Sequence, residues 1–415
     1  MNLYKAHSSK IGFFTIVLWL IGMISIGNLY PCAYGHFWFP GSTSLAFMLI
    51  CAIYIVLNIN KIPKLNAAFL GLMGLWVFYY LLRIFVYGEF RSMETSNAII
   101  YSLIFIVFVL TALGHYNTWC MFLWTQIIML VLSMVGVGLS LAGFQLTLFG
   151  DYNITEHQRL LNYGFFFMKT HDIAGVDALF YLRPNGYYDE PGSFAFMLFL
   201  VLAINKLYFN NRKIELFFLL AGFVTFSLAH VVTAIMYYFL FYSKKGNIKY
   251  AVLVFLAFFV LYAVKPSDDT SYASSAWNMI FGRFDSFISG NDDSRDFNAS
   301  FEAFKAYFWL GGSQEEILKA FPKAEVVTLW FFMARNGLVG TALYSIIFII
   351  PLRKLLSTRN VDGLKILLLL VTNFFQRPYL HFPIILLAIY ILFYAHFEMY
   401  IPIQINGKRQ VGKKL

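Results

Sequence analysis

One arginine and two carboxylates fall within eight positions of each other in Tyr181–Phe194, which reads Tyr-Leu-Arg-Pro-Asn-Gly-Tyr-Tyr-Asp-Glu-Pro-Gly-Ser-Phe. Arg183 offers a planar fork of N–H donors suited to an anion. Asp189 and Glu190 are proton acceptors. Pro184, Asn185, Gly186, Pro191 and Gly192 are turn formers, through fixed φ, side-chain capping and free φ respectively. An apolar run, Phe194 to Ile204, follows at once. The stretch is therefore a kinked polar loop at the mouth of an apolar segment. Two readings stay open on these residues: a boundary loop with interfacial charges, or an anion-binding arginine beside a base.

Further candidates lie downstream. Asn291-Asp292-Asp293-Ser294 reads as a helix start, with Ser294 as N-cap and acids at the positive helix end. Phe297, Phe301, Phe304 and Phe308 then share one helical face, and Arg295, Asn298 and Glu302 the opposite one. The aromatic face should lie against the helical bundle or the membrane surface. Leu310-Gly311-Gly312-Ser313 should end this helix. Glu325 stands just before the next apolar run, and Arg335 lies inside it, where a charge is expensive and by default a functional candidate. His157 and His171 are too far apart to pair as metal ligands on one helical turn, and Cys32, Cys51 and Cys120 sit in separate apolar segments. Neither a metal site nor a disulfide framework is expected, and no cofactor is implied. There is no phosphate-cradling Walker A pattern and no acidic Asp-x-Asp pair.

The elements that must position these groups are membrane spans. Hydrophobic residues make up 60% of the 415-residue chain and charged residues 13%, about half the usual soluble share. The expected fold class is an all-α polytopic membrane protein, one integral membrane domain over residues 1–415. Runs near 20 apolar residues fall at about 11–30, 41–58, 66–87, 96–114, 119–149, 191–208, 214–229, 231–243, 249–265, 326–351, 364–380 and 382–401, twelve transmembrane helices in all. The pair at 214–229 and 231–243 is short, and reads as a tight hairpin or as half-spans. Two long loops remain, 150–190 and 266–325, expected to contain short helices. Loops of that length usually carry function.

Charge orients the chain. With a cytoplasmic N-terminus, the inner segments hold 18 basic and 3 acidic residues, a net +15. The outer segments hold 13 basic and 18 acidic, a net −5. This is the positive-inside bias. The formal net charge of +10 is thus a topology signal that calls for no nucleic-acid partner.

In order and spacing, the motifs over roughly 180–345 resemble the O-antigen polymerase (Wzy) family and the related O-antigen ligases. Arg183-Pro-Asn-Gly186 followed by Glu190-Pro191-Gly192 resembles the family's Arg-x-x-Gly and Glu-Pro-Gly segment. Thr225-Phe-Ser227 is similar to its Thr-x-Ser element, and Gly337-Leu-Val-Gly340 to its Gly-Leu-x-Gly. Ser294-Arg295, opening an aromatic helix that ends in Gly311-Gly312, resembles its second-loop pattern. One position departs: where the ligases carry a histidine, this chain has Glu325.

The resemblance implies a metal-independent glycosyltransferase of the bacterial inner membrane, with its active site and both long loops on the periplasmic face. It would polymerise undecaprenyl-pyrophosphate-linked oligosaccharide units into O-antigen or capsule. Donor and acceptor would both be lipid-linked glycans, membrane lipids would surround the protein, and a chain-length regulator is a candidate partner. The alternatives are a ligase, or a lipid-linked glycan flippase. A flippase would ordinarily show internal repeats and a midplane site, and neither stands out. Arg183 and Arg295 are expected on the donor diphosphate, with Arg283, Arg335 and Glu302 also binding substrate. Three carboxylates compete for the base. Pro191 holds Glu190 extended. Glu302 shares a face with Arg295 and could simply neutralise it. Glu325 stands at the membrane edge, where partial desolvation makes a carboxylate a stronger base. Glu325 is the expected base, with Glu190 positioning substrate or holding Arg183.

The charge split makes the first prediction. Reporter fusions at Lys245 and Lys354 should show cytoplasmic activity only, and fusions within 150–190 periplasmic activity; periplasmic signal at either lysine would overturn the orientation.

Overall fold

A computed structural model describes residues 12–13, 16–20, 41–88, 90–142, 144, 148–155, 158–164, 166–171, 183–188, 190–225, 227–243, 256, 259–260, 262–264, 277, 281, 297–324, 328–376, 382–395, 402–405 and 408–411. Most of the expected spans 11–30 and 249–265 lies outside these residues. So do Asp189, Arg283, Ser294, Arg295 and Glu325.

The described chain is mainly helical. Helix α1 is Gly41–Leu57 and α2 is Ala67–Tyr87. Helix α3, Phe90–Leu141, is broken at Gly114, whose φ of 72° is left-handed and comfortable only for glycine. The break divides α3 into two apolar stretches, Thr95–His115 and Asn117–Leu139. The Asn117 and Thr118 side chains donate to the Leu113 and Gly114 carbonyls at the break. Helix α3 stops at Leu141, short of the expected 149. The Phe144 N–H reaches back five residues to the Leu139 carbonyl, a wide turn that closes a helix.

The first long loop corrects an expectation. It was expected to hold short helices, and its described residues form an antiparallel sheet, in the order β1 (Gly150–Thr155), β2 (Gln158–Asn162), β3 (Phe167–His171), β4 (Arg183–Gly186). The reason is local. The Asn162 side chain accepts from the Gly164 N–H at 2.8 Å and the Tyr163 N–H bonds to the Phe166 carbonyl, so a compact turn sets β2 and β3 side by side. The sheet then buries Met168 against Val137 of α3.

Helix α4, Pro191–Ile204, follows, extended by a π-turn Asn205–Phe209. Every residue of α4 is buried. It is apolar all round, which is what a helix enclosed by others requires. Helix α5 (Arg212–Ala221), a tight turn Gly222–Thr225 and helix α6 (Leu228–Tyr242) form a hairpin. His230 of α6 bonds to the Leu219 carbonyl of α5 at 3.2 Å, and a Cβ at Gly222 would overlap the His230 ring. At 1.5 Å per residue each leg is about 20 Å long, short of the roughly 30 Å hydrocarbon thickness. The pair is a hairpin, and each leg is shorter than a full span.

The second long loop does contain short helices, α7 (Phe297–Ala306) and α8 (Gln314–Ala320). Ser313 opens α8 with a reciprocal capping box to Glu316. Helix α9 is Leu329–Ser357, α10 Val361–Gln376, and α11 Pro383–Ile389 with a π-turn Tyr390–Tyr394. A C-terminal hairpin pairs β5 (Pro402–Ile405) with β6 (Lys408–Val411). Among the described residues, five stretches are long and apolar enough to cross a membrane: Ala67–Tyr87, Thr95–His115, Asn117–Leu139, Pro191–Phe209 and Leu329–Ser357. Together they mark a membrane-embedded protein.

Helix α9 is broken at Gly337, φ 63°. The segment after α7 fills the break. Gly312 N–H bonds to the Ala334 carbonyl at 3.0 Å, Leu338 N–H to Phe308 at 2.6 Å, and Val339 N–H to Trp309 at 3.1 Å. The two backbones run so close that a Cβ on Gly311 would overlap the Arg335 carbonyl, and one on Gly337 would overlap Gly311. Arg83, 2% exposed near the end of α2, closes the junction. Its guanidinium donates to the Arg335 carbonyl, to Gly312 at 2.9 Å and to Leu310 at 3.3 Å. Tyr79 donates to the Asn336 carbonyl at 2.5 Å, and Tyr80 to the Asn336 side chain at 2.9 Å.

Replacing Arg83 by Met leaves the buried Gly312 carbonyl without this donor, at about 1–3 kcal/mol, and the carbonyl of half-buried Arg335 likewise. Arg83→Met and Gly337→Ala should both lower the unfolding temperature of the detergent-purified protein, with Arg83→Lys intermediate because one ammonium cannot span both segments. A parent-like melting curve for Arg83→Met would show that the junction does not depend on it.

Candidate functional site

Strand β4 carries the Arg183 motif into the bundle. Arg183, Pro184, Asn185, Gly186, Tyr187 and Tyr188 are all buried, so this loop segment packs as core. Gly186 takes φ 61°, and the Tyr188 N–H closes the turn on the Asn185 carbonyl at 3.0 Å. The Phe194 ring lies against Gly186 and stacks on Tyr188 with centroids 5.8 Å apart. Gln126 of α3 anchors the segment from the opposite side. Its amide donates to the Tyr187 hydroxyl at 3.1 Å and to the Tyr188 hydroxyl at 2.9 Å. The Tyr188 hydroxyl donates to that of Tyr187 at 2.7 Å.

Arg183 is 8% exposed. Its Nε donates to the Thr225 carbonyl at 3.4 Å, at the tip of the α5–α6 hairpin. Two motif segments 42 residues apart thus meet directly. Thr225 is itself buried, and its hydroxyl donates to the Gly222 carbonyl at 2.8 Å, which fixes the tip. Strand β4, the hairpin tip and α4 pack on one another. The start of α4 and the start of α6, at Ser227, therefore open into the same neighbourhood. Each helix start presents backbone N–H groups and the positive end of a dipole. A guanidinium and two helix N-termini make a local field suited to an anion. Ser193, in the first turn of α4, is fully buried and its hydroxyl has no protein hydrogen-bond partner.

Glu190 takes the extended conformation that Pro191 imposes, φ −143° and ψ 152°. It occupies the N-cap of α4 and its carbonyl accepts from Phe194, while its half-buried side chain does not cap the helix. Glu302 is exposed and forms an ion pair with Lys305 at 2.6 Å, so its described partner is on its own helix. The aromatic face of α7 packs as expected, with Phe301 and Phe304 against Trp330 at 4.7 and 5.9 Å. Arg335 is half-buried within the α9 junction, where its carbonyl is held by Arg83. Among the described residues no group of His, Cys, Asp and Glu has the arrangement of a metal site.

Three contributors escaped the sequence reading. Arg83 carries a signal of its own, since it is a charge inside an apolar run, as Arg335 is. Gln126 carries a weaker one, a polar amide within the 119–149 run. The Thr225 contribution is a backbone carbonyl, which side-chain chemistry cannot announce. The chain matches no protein-family model, no curated protein and no solved structure.

Proposed function

We propose that this chain is an inner-membrane glycosyltransferase. It polymerises undecaprenyl-pyrophosphate-linked oligosaccharide units on the periplasmic face, through twelve membrane-embedded helices, with both long loops outside. The observation that carries this reading is the direct contact of Arg183 with the hairpin tip at Thr225, beside two helix N-termini. It joins two of the motif segments on which the family resemblance rests. The docking of Gly311-Gly312 onto Gly337 joins two more.

The chemistry asks for what this neighbourhood offers. The leaving group is a lipid diphosphate, on which negative charge grows as the glycosidic bond breaks. Preplaced donors that meet that charge lower the barrier. Arg183 can bind phosphate oxygens in a bidentate fork without a metal. Arg295 would contribute a second cation from the other long loop, with Arg283, Arg335 and Glu302 around the substrate. Glu325 would orient or deprotonate the acceptor hydroxyl, with Glu190 placed next to Arg183 in sequence to hold substrate.

Deleting the gene should abolish the surface-glycan ladder and leave a single repeat unit; loss of every repeat, the first included, would point to a flippase or ligase instead. With purified lipid-linked units, Arg183→Ala should lower the rate by at least about tenfold, the scale of one charge-assisted bond. Lysine should restore it only in part. Glu325→Gln should keep donor binding and lower turnover by about 10² or more. Full activity in Glu325→Gln would transfer the base role to Glu190.

A further inference from the structure

Glu215 lies in the first turn of α5, at the foot of the hairpin and ten residues before Thr225 at its tip. It is 3% exposed. Two elements converge on its carboxylate. Lys206, from the π-turn after α4, forms an ion pair with it at 3.1 Å, the two side chains being 13% and 4% exposed. Tyr237 of α6 donates its hydroxyl to the same oxygen. Lys206 also lies over the Phe241 and Tyr242 rings of α6, at 4.8 and 5.2 Å. Asn205 ties the connection by bonding both ways with Asn211, at 3.0 and 3.3 Å. The foot of each hairpin leg is thereby fixed to the end of α4.

The other end of α4 abuts β4 and Arg183. The hairpin tip touches the same region twice, through Thr225 on Arg183 and through Val224 in the apolar cluster with Met168 and Val137. Helix α5 and its turn form a rod of about 20 Å between foot and tip. A packed helix transmits a displacement along its length instead of absorbing it. The depth at which the foot is held therefore sets where the Thr225 carbonyl meets Arg183.

We propose that Glu215 is a positioning residue: with Lys206 and Tyr237 it locks the depth of the hairpin, and so the geometry of Arg183, from the opposite end of the rod. For catalysis this rests on the glycosyltransferase reading above; for hairpin depth it stands alone. Replacing Glu215 by Gln strands the Lys206 cation in a nearly closed site, and replacing Lys206 by Met strands the carboxylate. Removing both charges together strands neither.

The test uses the full chain in native membranes, with Cys32, Cys51 and Cys120 replaced by Ser and cysteines introduced at Val224 and Met168. Copper-phenanthroline oxidation then traps the tip against the sheet, a readout independent of activity. Trapping should slow at least fivefold in Glu215→Gln and in Lys206→Met. It should return to within twofold of the parent rate in the double variant, a rescue that general loosening of the fold would not give. Turnover of lipid-linked units, measured without the introduced cysteines, should fall and recover in the same order, with the acceptor KM unchanged. Parent-like trapping in both single variants overturns the proposal. So does a double variant no faster than the slower single, or slowed trapping with unchanged turnover. If neither single variant accumulates, the double decides alone, since trapping more than fivefold slow in it overturns the proposal and parent-like trapping supports it. If the parent protein polymerises nothing, the glycosyltransferase reading fails while the trapping series still decides the lock.

Discussion

Arg83 is the cation on which one half of this structure depends. Breaking helix α9 at Gly337 frees backbone carbonyls inside a membrane-embedded bundle, where water is scarce and an unpaired carbonyl is costly. A neutral donor could satisfy one of them. The guanidinium satisfies carbonyls from both sides of the junction, Arg335 on α9 and Gly312 and Leu310 on the incoming segment. It therefore stabilises the break and fastens the second long loop to it in one step. The glycines are the other requirement. Without Gly311 and Gly337 the two backbones could not approach closely enough to share one cation.

The other half is organised around α4. Buried along its whole length, it has no lipid-facing side and behaves as an axle. At its start lie β4, Arg183 and the hairpin tip; at its far end lie Lys206 and the hairpin foot. Because α5 and α6 run back along it, both ends of the hairpin are referenced to one rigid element. Tyr208 strengthens that reference, stacking on Trp119 of α3 at 4.3 Å and donating to the Leu392 carbonyl beyond α11 at 2.7 Å.

Apolar run length located α1, α2, α4, α6 and α10 to within a few residues, and the starts of α9 and α11, because a span must be both long and apolar. It also identified the shortness of the α5–α6 pair. Helical period put Phe301 and Phe304 on the face that packs on Trp330. The sheet was not legible. Strands β1 to β4 are four to six residues each, and their pairing is fixed by turns such as Asn162–Phe166 more than by any alternation. Nor was the Arg83 junction, since carbonyls freed by a helix break have no side-chain signature. The Arg183 motif was visible as chemistry, but its burial was not. A polar, turn-rich loop ordinarily lies on the surface, and only the anchoring by Gln126 and the tyrosine hydroxyls explains why this one does not.

The two junctions differ in a way that bears on which of them can move. The α9 junction is held by several short backbone bonds and an enclosed cation, so it opens only if all are lost together. The Arg183 Nε–H meets the Thr225 carbonyl at 3.4 Å, a long bond to a neutral acceptor. A phosphate oxygen is the better acceptor, because a bond between two ions is roughly twice as strong as one with a neutral partner. An anion reaching Arg183 would compete with the Thr225 carbonyl for the Nε–H. Displacement of that bond would be felt first at the hairpin tip, Gly222–Thr225, which the Gly222 carbonyl and the Thr225 hydroxyl close on themselves.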